Sequence, residues 1–286
     1  MPPVKAFNSD VEVLYDVPRI EEKLIIRALT NLGIKPKLTT VKDTPLVFNE
    51  GAPRICIVRP MSMYRAAYSA AVREASGSFT INSSDTIINC GDKVLTLSKL
   101  ASAGLRIPKS IVALTIQSAE EACKLIGLPL VDKPPIGGWG RLVSLVSDET
   151  TYRSLLEHRE MMTSQQLKTH IIQEYIKTPG RDVRVIVLDN EVLGAMYRYK
   201  QENEWRSNVA LGAKAVGFKP DDELREICIK AANAVKGVFV SVDVLESDGY
   251  FLNEVNGVPE FKAFIEATKR NVAADLANYI VKVLKR

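Results

Sequence analysis

Val238-Phe239-Val240-Ser241-Val242-Asp243-Val244-Leu245-Glu246-Ser247-Asp248-Gly249-Tyr250-Phe251-Leu252-Asn253-Glu254-Val255-Asn256 is a pair of apolar runs split by Asp-Gly. Asp-Gly between such runs marks a two-residue hairpin turn. A turn at 248–249 sets Asp243 opposite Glu254 and Ser241 opposite Asn256. Side chains alternate along a strand, so Asp243, Glu254 and Asn256 project from one face. Directly opposed carboxylates have Cβ atoms ~5 Å apart and repel each other, so a cation is expected between them. Two carboxylates and a neutral amide form an all-oxygen set that suits Mg²⁺. The alternative is two unrelated surface acids on a hairpin.

Elsewhere the chain is an ordinary globular sequence. It has 286 residues, 46% hydrophobic and 25% charged, enough for two or three subdomains. No apolar run approaches the ~20 residues that span a bilayer. The start, Met1-Pro-Pro-Val-Lys5, lacks a signal peptide's apolar stretch, so a cytoplasmic protein without membrane partners is expected. Cys56, Cys90, Cys123 and Cys228 lack metal or redox spacing and read as buried thiols. Two histidines, His158 and His170, give little support to a hydrolytic triad or a zinc site. The net charge of +4 favours anionic partners mildly. No stretch interleaves basic and aromatic residues as a nucleic-acid platform would.

The N-terminal third alternates strand and helix signals: strand Val11–Asp16, helix Arg19–Leu32 stopped by Gly33, strands Ile34–Thr39 and Arg54–Val58, helix Ser62–Ala75. That succession predicts a parallel α/β sheet. Arg59, Ser62 and Arg65 follow a strand's C-terminal end, where such sheets bind ligands, and are candidates for substrate contact or a plain solvated loop. From Asp92 come helix Lys93–Ala103, strand Ile107–Leu114, helix Ser118–Ile126 and strand Leu128–Lys133. A glycine-rich segment, Gly137-Gly138-Trp139-Gly140-Arg141, and strand Leu142–Val146 follow. Strand, glycine loop and strand describe a hairpin flap. Its backbone N–H groups could approach an anion, or the glycines could serve a tight turn. From His170 the signals are largely strands, with Asp189-Asn190 as a turn, and Asp222–Val235 and Asn271–Leu284 as helices.

Lys133 ends an apolar strand and Lys93 opens a helix, both suited to phosphate oxygens. Gln173-Glu174-Tyr175-Ile176 is a strand end whose backbone could meet an adenine, or an ordinary edge strand. Arg181, Arg184, Arg198 and Arg206 are converging forks for an anionic transition state or a carboxylate-rich substrate, or surface ion pairs. Arg198 and Arg206 are the catalytic candidates.

The order Lys93, Lys133, Gly137–Gly140, Gln173–Ile176, Arg206-Ser207-Asn208, Asp243 and Glu254-Val255-Asn256 resembles the ATP-grasp ligases, in the branch of the ribosomal-protein glutamate ligase. Within it, Trp139-Gly140-Arg141, Glu204-Trp205-Arg206-Ser207-Asn208 and Asn253-Glu254-Val255-Asn256-Gly257-Val258-Pro259-Glu260-Phe261-Lys262 look like the LysX/ArgX group. The resemblance implies an α/β (α+β) ATP-grasp fold of three subdomains, 1–91, 92–172 and 173–286, with ATP held between two sheets. It implies that Lys93, Lys133, the loop from Gly137 to Arg141, and Gln173 to Arg184, Asp182 included, hold ATP. Arg198 and Asn208 would reach its phosphates, and Asp243, Glu254 and Asn256 would hold Mg²⁺. The implied partners are a small acidic amino-group carrier protein, L-glutamate or 2-aminoadipate, and further copies of the chain in a dimer or tetramer. The reaction would join the amino acid to the carrier's C-terminal glutamate through an acyl phosphate. Ala263-Phe264 resembles the glutamate-loading type, with Ala for Gly, and a bulky Phe264 is expected to shorten the pocket. The rivals are the aminoadipate reaction, another acceptor, and a nucleotide-binding regulator without turnover.

Overall fold

The computed structural model describes residues 10–202, 204–207, 212 and 214–286. Val11–Tyr15 (β1), Ile20–Asn31 (α1), Lys37–Thr40 (β2), Ile55–Val58 (β3), Met63–Ala75 (α2) and Phe79–Ile81 (β4) build a parallel sheet in the order β2-β1-β3-β4. The alternating strand and helix signals predict this arrangement. Helix α1 buries Ile25 and Leu29 on one face, and Gly33, at φ +78°, turns the chain out of it. Ser62 caps α2 by accepting the Arg65 N–H at 3.5 Å.

Ser84–Gly91 (α3) and Lys93–Ser102 (α4) lead to Ser110–Ala113 (β5), Ile116–Ile126 (α5), Leu130–Lys133 (β6), Ser144–Val146 (β7), Glu149–Glu160 (α6), Gln165–Lys168 (α7) and His170–Glu174 (β8). These strands form an antiparallel sheet ordered β5-β8-β6-β7. The β6–β7 pairing makes the glycine segment a hairpin flap, as its flanking strand signals predict. β8 is an interior strand, not an edge. It also spans the 172/173 boundary expected between subdomains.

Arg181–Leu188 (β9), Glu191–Tyr199 (β10), Lys214–Phe218 (β11), Asp222–Ala234 (α8), Phe239–Ser247 (β12) and Gly249–Asn256 (β13) form the third sheet, antiparallel in the order β11-β10-β9-β12-β13. Lys262–Thr268 (α9) and Val272–Leu284 (α10) close the chain. Asp189 and Asn190, with φ of 46° and 64°, make the positive-φ turn that their residue types favour.

The decisive hairpin differs from its expected form at two places that cancel. Ser247 pairs with Gly249 and Glu246 with Tyr250, so Asp248 alone forms the turn and the register slips by one. Arg106 Nη2 reaches both Asp248 carboxylate oxygens at 3.2 Å. A bulge at Asn253 then takes up one residue, and Asp243 faces Glu254 and Ser241 faces Asn256 after all.

The first and third sheets share one core. Val11, Ile25 and Ile55 pack with Ile186, Phe239 and Leu276. Asn82 pins the two regions: its Nδ2 donates to the carbonyls of Phe239 and Gly257 at 2.6 and 2.7 Å, and its Oδ1 accepts from Val238 and Phe239 N–H. Leu100 of α4 packs with Val185, Val242 and Leu252, so that helix serves the third sheet rather than the region it opens in sequence. The second sheet keeps a core of its own around Leu130, Tyr152 and Ile172. The four cysteines are free and buried, as their apolar surroundings predict. Among the described residues no helix is long and apolar enough to cross a membrane.

Candidate active site

A cleft of about 730 Å³ has walls drawn from the second and third sheets and from the start of α1. Its floor is a lattice of charges set by strand register. Arg184 lies opposite Asp243 across β9 and β12, and Arg198 opposite Asp182 across β10 and β9. Each guanidinium forks its partner with two bonds of 2.7 Å, the geometry that makes arginine–carboxylate pairs strong. Arg198 also reaches Asp243 at 3.1 Å. Burial opposes the charge on Asp243, but Arg184 and Arg198 hold its carboxyl down at about 2. The cationic partner expected beside Asp243 is therefore, first of all, the protein's own pair of arginines.

Glu254 and Asn256 come from the facing strand and line the same cleft. Lys93 Nζ stands 3.7 Å from Glu254 Oε1. Lys133, buried at the end of β6, donates to Gln173 Oε1 at 2.9 Å and to Asn253 Oδ1 at 3.0 Å. Burial, reinforced by nearby Lys93, holds its ammonium down at about 8. The bulge that restores the hairpin register also brings Asn253 to this lysine.

The donor set at the hairpin fits a hard divalent cation. Asp243 Oδ2 is taken by both Arg184 and Arg198, whereas Oδ1 receives a single 2.7 Å bond from Arg184 and keeps its second lone pair. The buried Nδ2 of the half-buried Asn256 has no partner among the described residues, and the two ends of an amide are interchangeable by rotation. No group of three His, Cys, Asp or Glu side chains suited to a metal occurs among the described residues. The candidate set is two carboxylates and an amide.

The flap closes over these groups in an unexpected sense. Two of its carbonyls meet cations, Gly137 O accepting from Lys93 Nζ and Gly140 O from Arg206 Nη1, both at 2.7 Å, while the Arg141 N–H bonds inside the flap to Gly138 O at 3.2 Å. Trp139 and Gly140 sit at φ +58° and +71°, and Arg141 lies over the Trp139 ring at 4.8 Å. Arg206 is held by Glu204 at 2.8 Å. Beyond Glu174 the chain leaves the ladder, so Tyr175 and Ile176 line the cleft. Glu174 lines the cleft as well, while its carboxylate accepts the Lys109 N–H at 2.6 Å.

A model of the RimK-like ATP-grasp domain matches residues 90–280.

The chain belongs to the RimK-like ATP-grasp family.

A glutamate–LysW ligase, ArgX, of Sulfurisphaera tokodaii is 50% identical to it over 274 residues, 94% of this chain and 97% of that protein. An α-aminoadipate–LysW ligase, LysX, of the same organism is 37% identical, over 96% of this chain and 99% of its own. Among solved structures, the ATP-grasp ligase PsnB, complexed with a phosphomimetic variant of its minimal precursor, Mg and ADP, superposes with a TM-score of 0.73. That likeness covers 97% of this chain and 99% of PsnB at 18% identity, and it is a likeness of fold. The second and third sheets are thus the two between which the ATP-grasp cleft lies.

Several expected site residues fall elsewhere. Phe264 does not shorten the pocket. It is fully buried in the core, packed so closely on Gly194 that a Cβ there would lie 3.2 Å from its ring, while Ala263 lines the cleft. In a helix start, consecutive side chains diverge, and sequence alone does not tell which one faces inward. Ser62 is spent on its cap. Arg59, only 1% exposed, pairs with Glu22 at 3.0 Å and stands behind the wall, 5.6 Å from the Phe261 ring. Arg65 pairs with Asp16 instead. Asn208 lies outside the described residues. Conversely, Arg19, Glu260 and Lys262 line this ATP-grasp cleft. Arg19 reads in sequence as no more than a helix start.

Proposed function

We propose that the chain is an ATP-dependent carboxylate–amine ligase. It joins the α-amine of L-glutamate to the side-chain carboxylate at the C-terminus of a small acidic carrier protein, serving arginine synthesis. The observation that carries this reading is the meeting of Glu254 and Asn256 with Lys93 and Lys133 beneath the glycine flap. The 50% identity to a glutamate–LysW ligase supports the choice of amino acid and carrier.

Phosphoryl transfer demands positioning and charge neutralisation more than covalent help. Lys93 and Lys133 would hold the phosphates from the second-sheet side, with Arg206 beside the flap. Arg184 and Arg198 keep Asp243 ionised and fix its two oxygens. Mg²⁺ held by Asp243, Glu254 and Asn256 would offset the charge that accumulates on the transferred group. The carrier's carboxylate oxygen takes up phosphorus from ATP and ADP leaves. The neutral amine nitrogen then bonds to the carbonyl carbon, the carbon–oxygen bond to phosphate breaks, and the nitrogen's surplus proton leaves on the phosphate. The flap, tied down through Gly137 and Gly140, keeps water from the acyl phosphate in between.

Intact-mass analysis of the carrier after incubation with ATP, Mg²⁺ and each amino acid tests the proposal. The expected result is an ATP-dependent gain matching one glutamate residue. A gain with 2-aminoadipate alone would move the chain to the lysine branch, and no gain with any amino acid would overturn the ligase reading.

A further inference from the structure

Where α1 begins, the cleft wall carries an ion pair that phosphate chemistry does not use. Arg19 Nη1 donates to Glu260 Oε1 at 3.1 Å. Its other arms are anchored from behind: Nε and Nη2 bind the fully buried Glu22 at 3.2 and 2.9 Å, and Nη2 also meets the Arg59 carbonyl. Burial disfavours the charge on Arg19, yet Glu22 and Glu260 more than restore it. The Glu260 side chain is 43% exposed, that of Arg19 16%. A pair so placed is weakly held.

The two sides of the wall do not depend on this pair. Glu21, next to α1's first residue, accepts the backbone N–H groups of Phe261 and Lys262 at 3.3 and 3.1 Å. Arg19 and Glu260 can therefore part without loosening the segment that carries Ala263. All of them line the cleft that holds Glu254 and Asn256.

We propose that Arg19 and Glu260 recognise the zwitterionic head of the incoming amino acid, Arg19 taking a carboxylate and Glu260 the α-ammonium. This inference rests on the ligase reading above and names how its second substrate is held. A free amino acid presents opposite charges a few atoms apart, the complement of this pair. Its entry exchanges one ion pair for two, on a guanidinium whose orientation Glu22 has already set. Lys262 stands on the same wall for the second carboxylate of a dicarboxylic substrate.

The test uses binding calorimetry on the whole chain with ADP and Mg²⁺ present, titrating glutamate and its amine-free counterpart glutarate. Arg19→Lys is expected to weaken both ligands by about 10- to 100-fold, as loss of a charge-assisted fork does. Glu260→Gln is expected to weaken glutamate but tighten glutarate, because the competing carboxylate is gone. Both ligands shifting in the same direction in Glu260→Gln, or no shift in Arg19→Lys, overturns the inference. So does a wild type that binds neither ligand. Should Arg19→Lys fold poorly, Glu260→Gln, at a half-exposed residue, carries the test alone. Failure of carrier loading would sink the ligase reading, whereas these affinities judge the pair.

Discussion

Two clusters, each built on arginine–aspartate pairing, have different surroundings. In the second sheet Asp132 meets Arg159 on Oδ1, and His170 Nδ1 at 2.7 Å and Tyr152 Oη at 3.4 Å on Oδ2. Arg159 also donates to the carbonyls of Leu167 and Thr169. All four side chains are at most 2% exposed, and none lines the cleft. On the third sheet Asp182, Arg184, Arg198 and Asp243 form a comparable lattice, but one side of it is the cleft. Burial and ion pairing are thus common to both, and the open side distinguishes them. The neighbours Asp132 and Lys133 show how small the cause is. One step along β6 sends the first into the subdomain core and the second into the cleft, because strand side chains alternate.

The largest expected effect tests the closed cluster. Asp132→Asn should lower unfolding free energy by about 3–5 kcal/mol, the cost of stranding a buried partner, here Arg159. Asp243→Asn leaves its arginines beside water and Asp182, so its melting temperature should fall less while its turnover falls more. Denaturant melts and steady-state rates on both variants decide this, and equal melting losses would break the contrast. Next, Glu254→Ala should cut ligation by about 10²–10³-fold while leaving adenine-nucleotide binding and stability nearly intact. Normal turnover with Mg²⁺ would remove Glu254 from the metal set.

The smallest effect sharpens the contrast through pH. Lys133 has a folded pKa of about 8, lowered by burial and by Lys93. An unfolded lysine titrates near ~10.4. Between these values the unfolded chain binds more protons, so stability rises with pH across that window. Nucleotide affinity should move the other way, falling at most about tenfold per pH unit above pH 8 as the free enzyme loses the ammonium. Lys133→Gln should flatten both curves. An ADP titration unchanged from pH 7 to 10 in the wild type would show that Lys133 does not meet phosphate.

The parallel first sheet, the flap hairpin and the Asp189-Asn190 turn were legible because local periodicity and turn chemistry decide them. Asp243, Glu254 and Asn256 were legible for the same reason, although the register was reached through a slipped turn and a compensating bulge. Asn253 had no such signal, since a bulge is invisible to a period-two count. The Arg19–Glu260 contact joins residues 241 positions apart, and no local pattern reports that distance.

By itself the sequence determined which residues could carry charge, oxygen ligands and tight turns, since those are properties of side-chain type and of neighbours along the chain. Only the tertiary structure decided which of them share a cleft. It turned Ala263 inward and Phe264 into the core, withdrew Arg59 and Ser62, and brought in Arg19. The reason is that packing three sheets around shared cores selects one face of each element, and that selection is made by contacts remote in sequence.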